Sequence, residues 1–441
     1  MPKPSLQVLT LGCSKNTVDT EHLLYQTGDR FVVVPAEEHP AYVDYLLVNT
    51  CGFIGDAKEE SIQAILEAGQ RKGRGEAGKL IVFGCLSQRY PDELPGLIPE
   101  VDAWFGARDL DPVLRALGVE PSAERRNGRV QTEGRPGTAF LKISEGCDRS
   151  CAYCAIPGIR GAHRSVPMED LVAEARFLAA RGVRELVIIA QDTTYYGLDL
   201  YHRRALAELL QRLSEVEGIE WLRIHYSYPA GFPRDVLEQM ASNPKVCPYL
   251  DIPLQHIADP VLSKMHRHCS SEETLALVRD LRARVPGVVL RTTMIVGHPG
   301  EGEKEFEELL DFVREARFER LGAFTYSEEE GTYGAEHYAD SVPPEVKEAR
   351  LSALMETQRE ISLSFNQSRV GSVERVLVDA FDGETLVCRS RFESPDVDGE
   401  ILVRYDADVF GSLSQAELCG RFIEVRILGA DDYDLIAEVV K

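Results

Sequence analysis

Cys147-Asp-Arg-Ser-Cys151-Ala-Tyr-Cys154 sets three thiols within eight residues, spaced by three and then two. Thiolates so spaced can wrap one corner of a cubane, giving a [4Fe–4S] cluster three Cys ligands and leaving one iron open. An open iron can bind the amino and carboxylate groups of a ligand. Zinc and a plain buried cysteine group are the other readings. Structural zinc prefers four ligands, commonly two separated pairs, and no partner pair or His-x-x-x-His follows. A second set is dispersed. Cys13 closes Leu6–Gly12, Cys51 follows Leu46-Leu-Val-Asn-Thr50, and Cys85 follows Ile81-Val-Phe-Gly84, each beside a glycine. All three stand at the carboxyl ends of expected parallel strands, so they can converge on one sheet edge and hold a second cluster, again with one open iron. The alternative is ordinary buried cysteine near strand ends. Cys247, Cys269, Cys388 and Cys419 show no ligand spacing and read as core or incidental residues.

The elements that must position these thiols follow from hydrophobic patterning. At roughly 150 residues per domain, 441 residues point to about three domains. Short apolar runs at Leu6–Leu11, Tyr45–Val48 and Lys79–Phe83 alternate with helical periodicity from about Val18 and Ala57. Residues 1–122 are therefore expected to form a doubly wound, parallel α/β domain. Residues 123–137 are polar, with Gly and Pro, and read as a linker or an edge hairpin. Over 138–367, candidate strands Phe140–Ser144, Glu185–Gln191, Trp221–Tyr226, Tyr249–Pro253, Val288–Ile295 and Leu321–Tyr326 are separated by helical stretches. Six such βα units predict a barrel or partial barrel, with ligands beyond the carboxyl ends of its strands. A helix near Pro344–Gln367 leads into 368–441, where five short alternating strands predict a small antiparallel β-barrel.

Composition narrows the function classes. Hydrophobic residues at 44% and charged residues at 27% describe a globular chain. No apolar run approaches the roughly 20 residues that span a bilayer. The N-terminal residues lack a charged segment, apolar core and cleavage site of a secretion signal, so a cytoplasmic protein without membrane contact is expected. There, ten cysteines point to metal or redox chemistry. A net charge of −23 disfavours phosphate-dependent RNA binding and favours a basic protein partner.

With Tyr153 before its last cysteine, the Cys147–Cys154 run resembles the signature of the radical S-adenosylmethionine (SAM) superfamily. The likeness extends along most of the chain. Leu11-Gly-Cys-Ser-Lys-Asn-Thr-Val-Asp-Thr-Glu21, Val48-Asn-Thr-Cys-Gly-Phe-Ile54 and Phe83-Gly-Cys-Leu86 resemble the N-terminal domain of the methylthiotransferases. Lys142–Cys147, Tyr249-Leu-Asp-Ile-Pro-Leu-Gln-His256 and Ile295-Val-Gly-His-Pro-Gly-Glu301 are similar to the branch that acts on a ribosomal protein, and the C-terminal barrel is similar to a TRAM domain. Ser14, the order Arg164-Ser-Val-Pro167 and His298 depart from the family's usual pattern; none is a presumed ligand.

The resemblance implies a central radical SAM partial (β/α)6 TIM-like barrel and a methylthio transfer to the β-carbon of an aspartate in small-subunit protein S-twelve. It implies SAM and two [4Fe–4S] clusters, one on Cys147, Cys151 and Cys154, the other on Cys13, Cys51 and Cys85. It also implies an electron donor such as a flavodoxin or ferredoxin. An aspartate β-C–H has little acidity beside a carboxylate, so hydrogen abstraction by a carbon radical suits it better than a base. Tyr153, Gln191, Asp192, Gln255, His256, Val296 and Gly297 are the candidate SAM-side contacts; no further catalytic residue is assigned. The acidic run Glu328-Glu-Glu330 is expected to be a solvated loop.

Two other functions fit parts of this pattern: the same chemistry on a modified adenosine of tRNA, and a non-catalytic iron–sulfur redox sensor. Residues 368–441 carry 8 Lys+Arg against 16 Asp+Glu, so 8 − 16 = −8. An RNA-gripping barrel is expected to be basic, whereas an acidic one suits a basic ribosomal protein.

Overall fold

In a parallel sheet covered on both faces, a strand needs apolar side chains in both directions. Leu46, Leu47 and Val48 are fully buried, Leu47 in one core and Leu46 and Val48 in the core on the other face. Their strand, Val43–Thr50, lies at the centre of a five-stranded parallel sheet in a computed structural model that describes residues 2–132, 135–411 and 413–440, and only the backbone at Ala407. Ser5–Thr10 and Ala77–Gly84 flank it. The outer strands Val32–Val34 and Ala103–Trp104 are too short for their sequence to announce them. Helices Ser14–Thr27 and Gly55–Gly73 cover the sheet.

Between this domain and the next, no strand forms among the described residues of 123–137, of which Glu133 and Gly134 are outside the description. The segment is not a loose tether. Arg129 is buried in ion pairs with Glu21 of the first domain and Glu174 of the second.

The central domain is a six-stranded parallel sheet in sequence order: Thr138–Lys142, Glu185–Ile189, Trp221–Ile224, Val246–Asp251, Val289–Val296 and Arg320–Thr325. It does not close, so it is a partial barrel. Alternation sends Leu186, Ile188, Leu222, Ile224, Leu250 and Leu290 outward into the main core under the helices. The intervening positions face a more polar interior: Glu185, Val187, Ile189, Arg223, Tyr249 and Asp251.

After helix Pro344–Ser368, five strands close a barrel in the order Val373–Phe381, Thr385–Arg389, Ile401–Arg404, Leu435–Val439 and Phe422–Ala430. Four pairings are antiparallel; the fifth, Ile401–Arg404 with Leu435–Val439, is parallel. The short helices between Arg404 and Phe422 give the chain room for that crossover.

The small barrel docks on the amino ends of the central strands. Glu185, at the start of its strand, takes Arg223 at 2.8 Å and Arg389 of the barrel at 2.9 Å, all three sealed from water. Glu393 pairs with Arg320 at 2.9 Å and with Arg369. Trp221 packs edge-on against Phe422, in one core with Tyr249, Val289 and Leu377. The loop after Arg389 runs up inside the partial barrel, where Ser394 shares a 2.6 Å hydrogen bond with His225 and Asp398 accepts from the Tyr249 hydroxyl at 2.7 Å.

Burial would push the Glu185 and Glu393 carboxyls up, but their arginine partners hold both down to about 2. Folding therefore keeps them ionised where the unfolded chain, with ordinary values near 4.5, takes up protons. This stability is present above about pH 4.5 and is lost as pH falls toward 2; urea midpoints measured from pH 7 down to pH 3 should fall accordingly. Glu185→Gln leaves two buried guanidinium groups short of charge and should cost about 3–5 kcal/mol in the same assay.

Candidate functional site

Each thiol of the dispersed set owes its place to a strand end. Cys13 is the N-cap of helix Ser14–Thr27, Cys51 follows strand Val43–Thr50, and Cys85 opens the helix Cys85–Arg89. Gly12 makes the turn at φ 88, and a Cβ there would lie 2.8 Å from the Cys51 sulfur. Negative charge on Cys13 or Cys51 would raise the Cys85 thiol further, beyond the effect of its burial. Cys13 is exposed, while Cys51 and Cys85 are buried. Burial pushes the Cys51 thiol up, and Cys85 up to about 12.

The compact set sits on a loop pinned at its base. Ser144–Glu145 pairs with Arg164–Ser165, and Gly146 turns at φ 77 where any Cβ would strike the Ala162 carbonyl at 2.2 Å. The Cys147 backbone N–H donates to Gly161 at 3.0 Å and that of Ala152 to Met265, also at 3.0 Å. Burial raises Cys147 to about 11 and Cys154 to about 12.

Both sets fit an iron–sulfur cluster on the chemistry of their donors. Each offers three thiols, and each set has an N–H donor aimed at a sulfur; Asn16 Oδ1 also faces the Cys85 sulfur, at 3.9 Å. Arg160 Nε lies 3.2 Å from the Cys85 sulfur, the Arg149 N–H 3.4 Å from that of Cys147, and an Arg267 nitrogen 3.6 Å from that of Cys151. Such donors stabilise ligating thiolates. Among the described residues no three Cys, His, Asp or Glu side chains converge closely enough for a single metal ion. A cubane binds each thiolate through a different iron and accepts a wider triangle.

Arg160 ties the two sets together. It ends the short helix Ile156–Arg160, which begins two residues after Cys154, and is 2% exposed. Besides Cys85, its guanidinium reaches Asn16 Oδ1 at 2.5 Å, Asp19 at 2.8 Å and Glu145 at 3.0 Å. Lys142 pairs with the same two acids, which is why Glu145 is held down to about 2 against burial. Cys85, Ala107, Ala155 and Ile159 pack as one apolar contact beside this network.

A second clamp sits where a solvated loop was expected. Glu329 is 3% exposed and binds Lys58 at 2.8 Å, Arg89 at 3.0 Å and the Gly55 N–H at 3.0 Å. Arg89 also donates to the Gly52 carbonyl at 2.9 Å. The loop after Cys51 is thereby fastened to the central domain. Distant lysine and arginine partners, invisible in the local sequence, overturn the solvated reading for Glu329, while Glu328 and Glu330 are exposed as expected.

The other sequence-predicted residues gather at the carboxyl ends of the central strands with unequal freedom. Tyr153 packs with Ala258, Val261, Met265 and Ile295. Gln191 donates to Glu145 at 2.6 Å, and its carbonyl oxygen is sealed without a partner. Asp192 is committed within the protein, to Thr194 N–H at 2.9 Å and Arg149 at 2.8 Å. Gln255 takes φ 74 at an isolated bridge to Met294. His256 Nδ1 accepts from Ala258 N–H at 3.0 Å while Nε2 lies 3.4 Å from the buried Glu301 carboxylate. The Val296 carbonyl accepts from Tyr326 at 2.8 Å and the Gly297 N–H donates to Glu301 at 2.9 Å. Sequence reasoning missed Arg160 and Arg267, which carry no motif of their own; Asn16, Asp19 and Glu145 lay inside motifs already singled out.

Comparison with known proteins agrees with this architecture. Residues 141–313 match the radical SAM superfamily, residues 5–106 the uncharacterised protein family UPF0004, and residues 370–440 the TRAM domain. The chain is 49% identical over 441 residues to a protein of Porphyromonas gingivalis named ribosomal protein uS12 methylthiotransferase RimO, covering all of both chains. Identity to the Bacteroides fragilis protein of that name is 47% over 440 residues, again covering all of both. Among solved structures, the radical SAM methyltransferase TsrM of Kitasatospora setae shares the fold at TM-score 0.54 and 15% identity, over 76% of this chain and 78% of that one.

Because buried thiols hold their protons, cluster loading must displace them. Iron bound per chain on anaerobic reconstitution should rise with pH and keep rising above the range where ordinary thiols ionise, because burial holds Cys147 at about 11 and Cys85 and Cys154 at about 12. Arg160→Ala should cost about 3–5 kcal/mol by leaving buried acids underpaired, with Arg160→Lys less damaging in the same denaturation assay.

Proposed function

The chain belongs to the ribosomal protein uS12 methylthiotransferase family, and on that premise we propose that it adds a methylthio group to the β-carbon of an aspartate in protein uS12. It acts as a transferase in the cytoplasm, using SAM, two [4Fe–4S] clusters and electrons from a donor such as a flavodoxin or ferredoxin. The observation that carries the reading is the Arg160 bridge. One guanidinium touches Cys85 while its own helix begins two residues after Cys154, which supports a meeting of the two thiol triads at one domain junction.

Cys147, Cys151 and Cys154 would hold one cluster and Cys13, Cys51 and Cys85 the other; when bound, such clusters supply one-electron reduction of SAM and an open iron for sulfur. The protein's own work is positioning. Arg160, Asp19, Glu145 and Lys142 fix the separation of the triads through short, water-poor contacts. Glu329 with Lys58 and Arg89 holds the Cys51 loop in place. Arg149 lies 3.9 Å over the Tyr228 ring and Arg267 4.2 Å from it, so both cations beside the compact triad are held by the same aromatic ring. Packing of helix Ser14–Thr27 through Val18 onto Phe140, Val187 and Ile189 keeps water from one side of the chamber.

Chain charge supports a protein substrate. The barrel segment, at −8 in a chain of −23, favours encounter with a basic protein over an RNA backbone.

The test is anaerobic reconstitution with SAM, a reductant and purified uS12. 5′-Deoxyadenosine and a methylthio mass gain on uS12 are expected, with both lost in Cys147→Ala. Intact SAM would sink the enzyme reading; a methylthio gain on tRNA alone would move the substrate to RNA. Association with uS12 should also slow as salt is raised.

A further inference from the structure

Lys15, two residues after Cys13, is 7% exposed, and no carboxylate lies within ion-pair distance of it among the described residues. Its ammonium sits 3.0 Å from the centroid of the Tyr226 ring. It also occupies the first turn of helix Ser14–Thr27, where the helix dipole repels a cation and no acidic side chain offsets it. Burying an unpaired ammonium costs several kcal/mol. Nothing in the packing of this helix requires a cation there.

The nearby charges are already matched. Asp19 and Glu145 are shared between Lys142 and Arg160. Asp251 holds Arg291 at 2.9 Å and the Tyr226 N–H at 3.0 Å. Asp192 holds Arg149 at 2.8 Å. His225, next to Tyr226, is kept neutral by burial and bonded to Ser394. Tyr226 itself takes φ 56, a left-handed conformation that an aromatic residue adopts only when its surroundings impose it. That backbone places the ring under Lys15, at the carboxyl end of the Trp221–Ile224 strand and beside the Cys13 loop.

We propose that Lys15 is the docking cation for the side-chain carboxylate of the substrate aspartate, holding the β-carbon in the chamber between the two thiol triads. This rests on the reading of uS12 as substrate and adds the residue that selects a charged target. The carboxylate is bonded directly to the carbon that is modified, so an ion pair there orients the C–H to be broken. A charge-assisted hydrogen bond in a site poor in water is strong and directional. An asparagine in the same place offers no charge and leaves the ammonium unpaired.

Binding is measured anaerobically, by titration calorimetry, on cluster-loaded protein without reductant, with uS12 carrying its natural aspartate or asparagine there. Wild-type protein is expected to bind the aspartate form at least about tenfold more tightly. Lys15→Met and Lys15→Gln should bind both forms at the weaker level, and Lys15→Arg should keep part of the preference. A full preference for aspartate in both neutral variants would overturn the proposal. So would loss of iron in those variants with the preference intact, which would make the ammonium a partner of the cluster thiolates. If the wild-type protein neither binds nor modifies either form, the substrate reading itself fails, and the role of Lys15 falls with it.

Discussion

The relation between the two halves of the site depends on one buried guanidinium. Arg160 is carried by the loop of the compact thiol set yet spends its donors on the other domain: a cysteine, an asparagine and an aspartate, with Glu145 returning on its own side. A planar fork suits this work because its donors point in fixed directions and the charge is never lost. Buried ion pairs contribute little net stability compared with apolar packing, but they are costly to break and so hold geometry. Here they hold a distance between two sets of thiols.

The same economy recurs at the other junctions. Arg129 joins the first two domains through Glu21 and Glu174, and Arg223, Arg389, Arg320 and Arg369 join the second and third through Glu185 and Glu393. A chain with 72 acidic and 49 basic residues thus places many of its arginines inside, between domains. Buried acids match these arginines, so the outer surface keeps the acidic excess of the whole chain, which favours attraction to a basic partner.

Most of the framework was legible in the sequence because it rests on local signals. Strand runs of three or more buried residues, glycines at strand ends and cysteine spacing all act within a few residues, and the strand order of the central sheet follows from unreversed βα units. What was not legible involves partners far apart. Glu329 looked solvated because its three partners lie some 240 to 270 residues away. The strands Val32–Val34 and Ala103–Trp104 are edge strands whose short lengths leave little pattern. The parallel pairing that closes the small barrel depends on a crossover, which alternation cannot reveal. Asp192 and Gly297 showed a position at strand ends but not that their polar groups are already spent on Arg149 and Glu301.

Ser394 and Asp398, from the loop of the third domain, reach residues that line the interior of the second. The chamber thus has a floor lent by a different module. Such a module cannot be exchanged as an independent handle: a replacement would have to bring its own plug for His225, Tyr249 and Arg291, along with counter-charges for the amino ends of the strands. Changes of recognition in this part of the chain are therefore confined to the outer surface of the small barrel, while its inner loop stays bound to the architecture above it.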